Sequence, residues 1–214
     1  RGEDPAVHYA AAAADYGAVI ERNPGDADAW IGRGNVRASL ATFRASHGVN
    51  ADDLYREAIA DFEKAVGTNP RSAETLFLRG NAWTNWGQQR IGRGEEARDL
   101  FERGTEDLER SLEINAANEE GWRRLGHARM LLAPCLEAGR AREVLEQAHA
   151  ALDRALAIST RHPDSYRYRG MVRRLQERFE EAIADFQEAL RLNPGLEAKV
   201  RPLIEDCEGR HGGR

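Results

Sequence analysis

Apolar and small residues return every third or fourth position along most of this chain. Ala51, Tyr55, Ala58, Phe62 and Ala65 fall on one helical face, as do Ala97, Phe101, Gly104, Leu108 and Ser111, and then Ala141, Leu145, Ala148, Leu152 and Ala155. Turn-forming runs separate such stripes: His47-Gly48-Val49-Asn50, Gly92-Arg93-Gly94 and Ala138-Gly139-Arg140, with Asn50 placed to cap the helix that follows. The pattern predicts an all-α chain of about ten helices and no sheet.

Two short phrases recur in step with these helices. Trp30-Ile31-Gly32-Arg33-Gly34 returns as Leu76-Phe77-Leu78-Arg79-Gly80, Trp122-Arg123-Arg124-Leu125-Gly126 and Tyr166-Arg167-Tyr168-Arg169-Gly170, with glycines 46, 46 and 44 residues apart. A second phrase, Ile20-Glu21-Arg22-Asn23-Pro24, keeps the same steps and ends in Leu190-Arg191-Leu192-Asn193-Pro194 after a final step of 34. Two independent landmarks with one period define an array of repeats.

In the last unit, counting Tyr166 as position 4 of 34 puts Gly170 at 8, Ala182 at 20, Phe186 at 24, Ala189 at 27 and Pro194 at 32. This pattern resembles the tetratricopeptide repeat closely. Small residues at 8 and 20 let two antiparallel helices approach, large ones at 4 and 24 fill the space beside them, and the proline ends the second helix. The resemblance implies a right-handed superhelical solenoid of antiparallel helix pairs. The earlier repeats keep the landmarks but carry ten to twelve extra residues in the middle. Read as helix, these add roughly six residues, or about 9 Å, to each arm.

The predicted organisation is one continuous solenoid over residues 1–214. Residues 6–24 form the second helix of a truncated repeat, followed by repeats at 26–70, 72–116, 118–160 and 163–194 and a capping helix at 195–208. The chain begins at Arg1 within a repeat, which reads as a piece of a longer protein, and His211-Gly212-Gly213-Arg214 reads as a frayed tail.

Net charge is −5 and charged residues make up 31%, so no general basis for nucleic-acid binding exists. No apolar run approaches membrane-spanning length. Cys135 and Cys207 are isolated, the weak expectation for a reducing compartment, and a cytoplasmic location is expected. No nucleophile stands with a base and an orienting group, and the six histidines have no metal-ligand spacing. Gly92-x-Gly94-x-x-Ala97 fits the dinucleotide fingerprint by letter but lacks its strand, and reads as a turn between helices. No catalysis, cofactor or metal is expected.

Binding remains. The resemblance implies a concave face lined by positions 2, 5, 9, 12 and 13 of each first helix. The residues it nominates for a partner are Asn35, Phe77, Asn81, Asn85, Arg123, His127, Arg167 and Arg174. Asparagines offer a paired donor and acceptor to a peptide backbone. Phe77 offers an apolar contact, and the arginines offer forks for an acidic or phosphorylated segment. An equal alternative is that Glu120, Asp164 and their neighbours pair these arginines internally. Trp30, Trp83 and Trp122 are expected in the core. The clamp by which some tetratricopeptide domains hold chaperone tails is matched only at Asn35 and Arg124, with Ile31, Leu78 and Glu120 departing from it. The chain therefore reads as a non-catalytic protein-interaction module binding a protein or peptide, with self-association not predicted. The alternative is a docking arm of a larger enzyme, as in bacterial serine/threonine kinases that carry such repeats.

Overall fold

The computed structural model of the chain describes residues 5–211, so most of the expected tail lies outside the described residues. Within them are ten α-helices and no strand. Contacts group the chain into two compact units, the first ending at Asn115 and the second beginning at Ala116. The first unit holds α1 (Pro5–Arg22), α2 (Ala27–Ser46), α3 (Asp52–Thr68), α4 (Ala73–Gly92) and α5 (Arg98–Ile114). The second holds α6 (Glu119–Leu132), α7 (Ala138–Ile158), α8 (Pro163–Leu175), α9 (Phe179–Leu192) and α10 (Glu197–His211). Within each unit every helix packs on the next. The fold is the all-α, tetratricopeptide-like arrangement of helix pairs that the repeats predict.

Each start and stop has a local cause. Asp26, Ser72 and Asn118 cap α2, α4 and α6, their side chains accepting the N–H of Ala29, Thr75 and Gly121. Trp30 and Trp122, expected in the core, are only half-buried. Their indole N–H groups donate to the carbonyls of Pro24 and Ala116 at 2.8 and 2.9 Å, fastening the turn before each helix. Asn50 is not the cap of α3: Ala51 holds that place, and the Asn50 Oδ1 accepts the Asp52 N–H at 2.9 Å.

Three first helices end in the same way. Gly48 donates to the carbonyl of Ala45 and Val49 to that of Arg44; Gly94 donates to Ile91 and Glu95 to Arg90; Glu177 donates to Arg174 and Arg178 to Arg173. These are Schellman caps, which need a left-handed residue after the helix. Gly48 and Gly94 supply φ of 75° and 76°, whereas Glu177 adopts 61° with a side chain attached.

The extra residues are helical, but not divided equally between the arms. Helices α2 and α4 have 20 residues against 13 in α8, while α3 and α5 have 17 against 14 in α9. The first arm is therefore about 10 Å longer at 1.5 Å per residue. The third repeat reverses the division. Pro134 cannot continue the hydrogen-bond ladder, so α6 stops after 14 residues in a 3-10 turn, Ala133–Cys135, and α7 extends to 21. Ala138-Gly139-Arg140, expected as a turn, is the first turn of α7.

Position 8 closes every pair. A Cβ on Gly34, Gly80 or Gly170 would lie 2.9, 2.9 or 2.7 Å from the side chain of Phe62, Leu108 or Phe186. Beside this contact lies a charged one. Asp61, Asp107 and Asp185, all buried, each accept a two-pronged guanidinium from Arg33, Arg79 and Arg169 at 2.6–3.0 Å. Arg37 and Arg173 add a third prong to Asp61 and Asp185. The third repeat has Leu125 and Ala151 at these two positions, both buried, so apolar packing replaces the ion pair. At the C-terminal end, Val200, Ile204 and Cys207 of α10 join Phe179, Ala182 and Phe186 in one core cluster.

A Cβ on Gly126 would stand 2.5 Å from Leu152 Cγ and 3.1 Å from the Ala148 carbonyl. Gly126→Leu is thus expected to cost about 1–3 kcal/mol or more by overpacking, read from urea unfolding. A melt matching the parent would contradict this register. Asp61→Ala strands the Arg33 guanidinium, which keeps partial access to water at 18% exposure, and leaves Arg37 with Glu57 at 3.2 Å, so the full cost of a buried orphan charge does not apply. The expected loss is about 1.5–3 kcal/mol by the same measurement.

Candidate functional site

In the first unit the candidate face is built on α2 and α4, which touch each other. Leu76, Gly80, Trp83 and Gly87 turn the buried side of α4 inward. On the other side Phe77, Asn81, Asn85 and Gln88 follow one another at steps of four, four and three, one helical face. Phe77, Asn81 and Asn85 are half-buried and Asn35 of α2 is exposed. No hydrogen bond within the chain uses the carboxamides of Asn35, Asn81, Asn85, Gln88 or Gln89 among the described residues.

This face runs into a cleft of about 400 Å³ lined by Thr42, Asn50, Tyr55, Asn85, Gln88 and Gln89, among others. Thr42 and the buried Tyr55 share a hydroxyl–hydroxyl hydrogen bond at 3.2 Å. Most of the lining lies beyond the point, position 13, at which the short helix α8 ends. The cleft is thus a product of the added turns. The charged residue of its lining, Arg93, is paired with carboxylates. Arg93 donates to both Asp52 oxygens at 2.9 Å and to Glu95 at 2.8 Å, and Trp86 donates to Asp52 at 2.7 Å. The hydrogen bond from Arg93 holds the Glu95 carboxyl down to about 2. Gln88, Gln89 and Thr42 were not among the sequence candidates, although 81, 85, 88 and 89 continue one amide stripe.

The second unit treats its candidates differently. Arg123 and His127 of α6 are buried, at 6% and 7% exposure. Arg123 lies 3.6 Å from Glu119 and 3.3 Å from Glu120, and its Nε makes no hydrogen bond. Arg167 pairs with Asp164 at 2.7 Å and lies over the Tyr168 ring, and Arg174 pairs with Asp206 of α10 at 2.8 Å. The internal pairing weighed against the acidic-partner reading is therefore what these three arginines adopt. His127 stacks on Tyr168 with ring centroids 4.2 Å apart. Burial, then the charges of Arg124 and Arg167, push its pKa down to about 3, so it is neutral.

Among the described residues no cluster of three or more His, Cys, Asp or Glu could hold a metal, and no helix is long and apolar enough to cross a membrane. The geometry is that of a protein-interaction module of the tetratricopeptide class, and the tetratricopeptide repeat family model matches residues 163–196. A second family model matches residues 8–167, most of the chain, and the chain belongs to that family, described as plant specific mitochondrial import receptor subunit TOM20. No curated protein matches. Solved structures share the fold. The crystal structure of MamA is 18% identical, with 89% of this chain and 91% of that one covered at a TM-score of 0.61. TTC0263, a thermophilic TPR protein in Thermus thermophilus, is 21% identical over 82% and 81% of the two chains, with a TM-score of 0.59. MamA from Desulfovibrio magneticus RS-1 is 16% identical over 82% and 86%, with a TM-score of 0.60.

Because the folded pKa of His127 lies near 3 and the unfolded one near 6.5, the unfolded chain binds the proton first. The stability this group contributes is complete above the unfolded value and is lost as pH falls from there towards 3. Between pH 7 and 5 the loss is about 2 kcal/mol. His127→Phe keeps a ring against Tyr168 but not the titration, so its stability in urea should fall less than the parent's by about that amount. Parallel pH curves for the two proteins would remove His127 from this role.

Proposed function

We propose that the chain is a non-catalytic receptor module that holds a segment of a partner protein on the first-helix face of α2 and α4. One observation carries this reading: the half-buried Phe77 begins a helical stripe of carboxamides that no hydrogen bond among the described residues uses. A carboxamide offers both a donor and an acceptor, and an apolar ring beside it gives a segment something to bury. The family description, that of an import receptor subunit, supports a receptor role, and the shared fold supports a module built from paired helices.

The acidic or phosphorylated segment suggested by Arg123, Arg167 and Arg174 has less support. Each arginine already has a carboxylate, and exchanging one carboxylate for another gains little. The first unit is also acidic, its sequence carrying twenty Asp and Glu against fourteen Lys and Arg, which repels an acidic segment at low salt.

The test is selection of binding peptides from a random library displayed on phage, using the full chain as bait. Phe77→Ala with Asn81→Ala should weaken selected peptides at least about tenfold, the loss of one apolar anchor and its hydrogen bonds. Arg167→Ala with Arg174→Ala should leave them unchanged. The reverse outcome would move the site to the second unit.

A further inference from the structure

The cleft that Tyr55 lines carries a conclusion of its own, which does not depend on a partner segment. We propose that it is a binding site for a neutral polyhydroxylated ligand, a saccharide of one or two rings.

The hydroxyl groups of the lining are committed as donors and left open as acceptors. Thr42 Oγ1 donates to the Ala38 carbonyl at 2.9 Å, so in its 3.2 Å contact with Tyr55 the phenol is the donor. The Tyr55 oxygen then has only lone pairs to offer. Burial pushes this phenol up from its ordinary value, so it keeps its proton. Ser46 Oγ is tied in the same way, donating to the Phe43 carbonyl at 2.7 Å. The amides of the lining balance these acceptors. Asn50 takes the Asp52 N–H through Oδ1, which leaves its NH2 group as a donor. Asn85, Gln88 and Gln89 keep both functions, since no hydrogen bond among the described residues uses them. A ligand must therefore give hydrogens to one set of groups and both give and take with the other. An alcohol does both through one oxygen, and a vicinal pair of alcohols meets the C=O and NH2 of a carboxamide together.

The same lining disfavours other ligand classes. Arg93 is held by Asp52 and Glu95 at 2.9 and 2.8 Å, so a charged ligand would lose water and find no unpaired counter-charge. The one ring in the lining, Tyr55, is 1% exposed and stacks on Trp86 with planes 10° apart. A nucleobase or other aromatic ligand thus has no face to stack on. Ala45 and Val49 offer apolar surface to the C–H side of a sugar ring. The volume, about 400 Å³, falls in the ordinary range for a ligand site.

The experiment titrates the full chain, labelled with nitrogen-15, with glucose, mannose, galactose, maltose, sucrose and trehalose, and follows side-chain amide signals by NMR. At least one of these sugars should shift the signals of Asn50, Asn85, Gln88 and Gln89 saturably, with a Kd of about 1 mM or tighter. The amino-sugar and uronic-acid counterparts of the best binder should bind at least about tenfold more weakly. Tyr55→Phe, which keeps the ring and loses the hydroxyl, should weaken that sugar about tenfold, and so should Gln88→Ala with Gln89→Ala, both variants keeping a cooperative melt. The best binder is also compared free and as its glycoside on a synthetic peptide. Tighter binding of the glycopeptide assigns the saccharide to a glycosylated partner, and equal affinity assigns it to a free sugar. The site is overturned if no sugar of the panel shifts these amides, if the shifts scatter over the chain, or if charged counterparts bind as well. Full affinity in both variants would overturn it too.

Discussion

The helix pairs of this protein depend on one close contact, made four times. A glycine on the first helix faces an alanine or glycine on the second, and a Phe or Leu ring or branch four residues further on lies across the gap. A Cβ on any of the four glycines would enter that side chain at 2.5–2.9 Å. Backbones this close leave no room for water, so in the three pairs that carry an aspartate next to the large residue it is buried with them and must be answered. Arg33, Arg79 and Arg169, each immediately before the glycine, are placed to do so. The buried charge is thus a consequence of the close approach.

Much of this was legible. The register of Gly34, Gly80, Gly126 and Gly170 against Ala58, Gly104, Ala148 and Ala182 follows from the recurring phrases together with the resemblance to the tetratricopeptide repeat, whose positions 8 and 20 face each other across the helix pair. The Arg–Asp fork was equally present in the letters, as Arg before glycine and Asp before Phe or Leu, but charge patterns on helices ordinarily describe solvated faces and gave no cue to burial. The arm lengths were harder to read. An apolar stripe marks where a helix must exist and says little about where it stops. Stopping points depend on Gly48, Gly94 and Pro134, and Pro134 moved the turn of the third repeat by several residues.

The candidate site divided along the same line. Asn35, Phe77, Asn81 and Asn85 stand on an accessible face because the repeat pattern places them opposite the packed side of their helix. Arg123 and His127 occupy equivalent positions, yet they are buried in the second unit, where Glu119, Glu120 and Tyr168 close over them. Position within a repeat determines direction, whereas exposure depends on what the neighbouring helix brings. Gln88 and Gln89 escaped attention because the first helix of a repeat of ordinary length ends before them. Only the longer helices give them a place.

The increment by which those helices grew has its own logic. Helices α2 and α4 exceed α8 by seven residues, and α7 exceeds α9 by seven as well. At 3.6 residues per turn, seven is within about 20° of two whole turns. A helix lengthened by this step keeps its faces in phase, so the added tip continues the same packed side and the same open side as the base. An addition of five would swing the tip by about 140° and point its apolar residues at water. Growth in whole turns lets a repeat acquire a new distal surface while the crossing at its base stays unaltered. A selective pressure on ligand recognition can therefore act at the tips with almost no cost in folding.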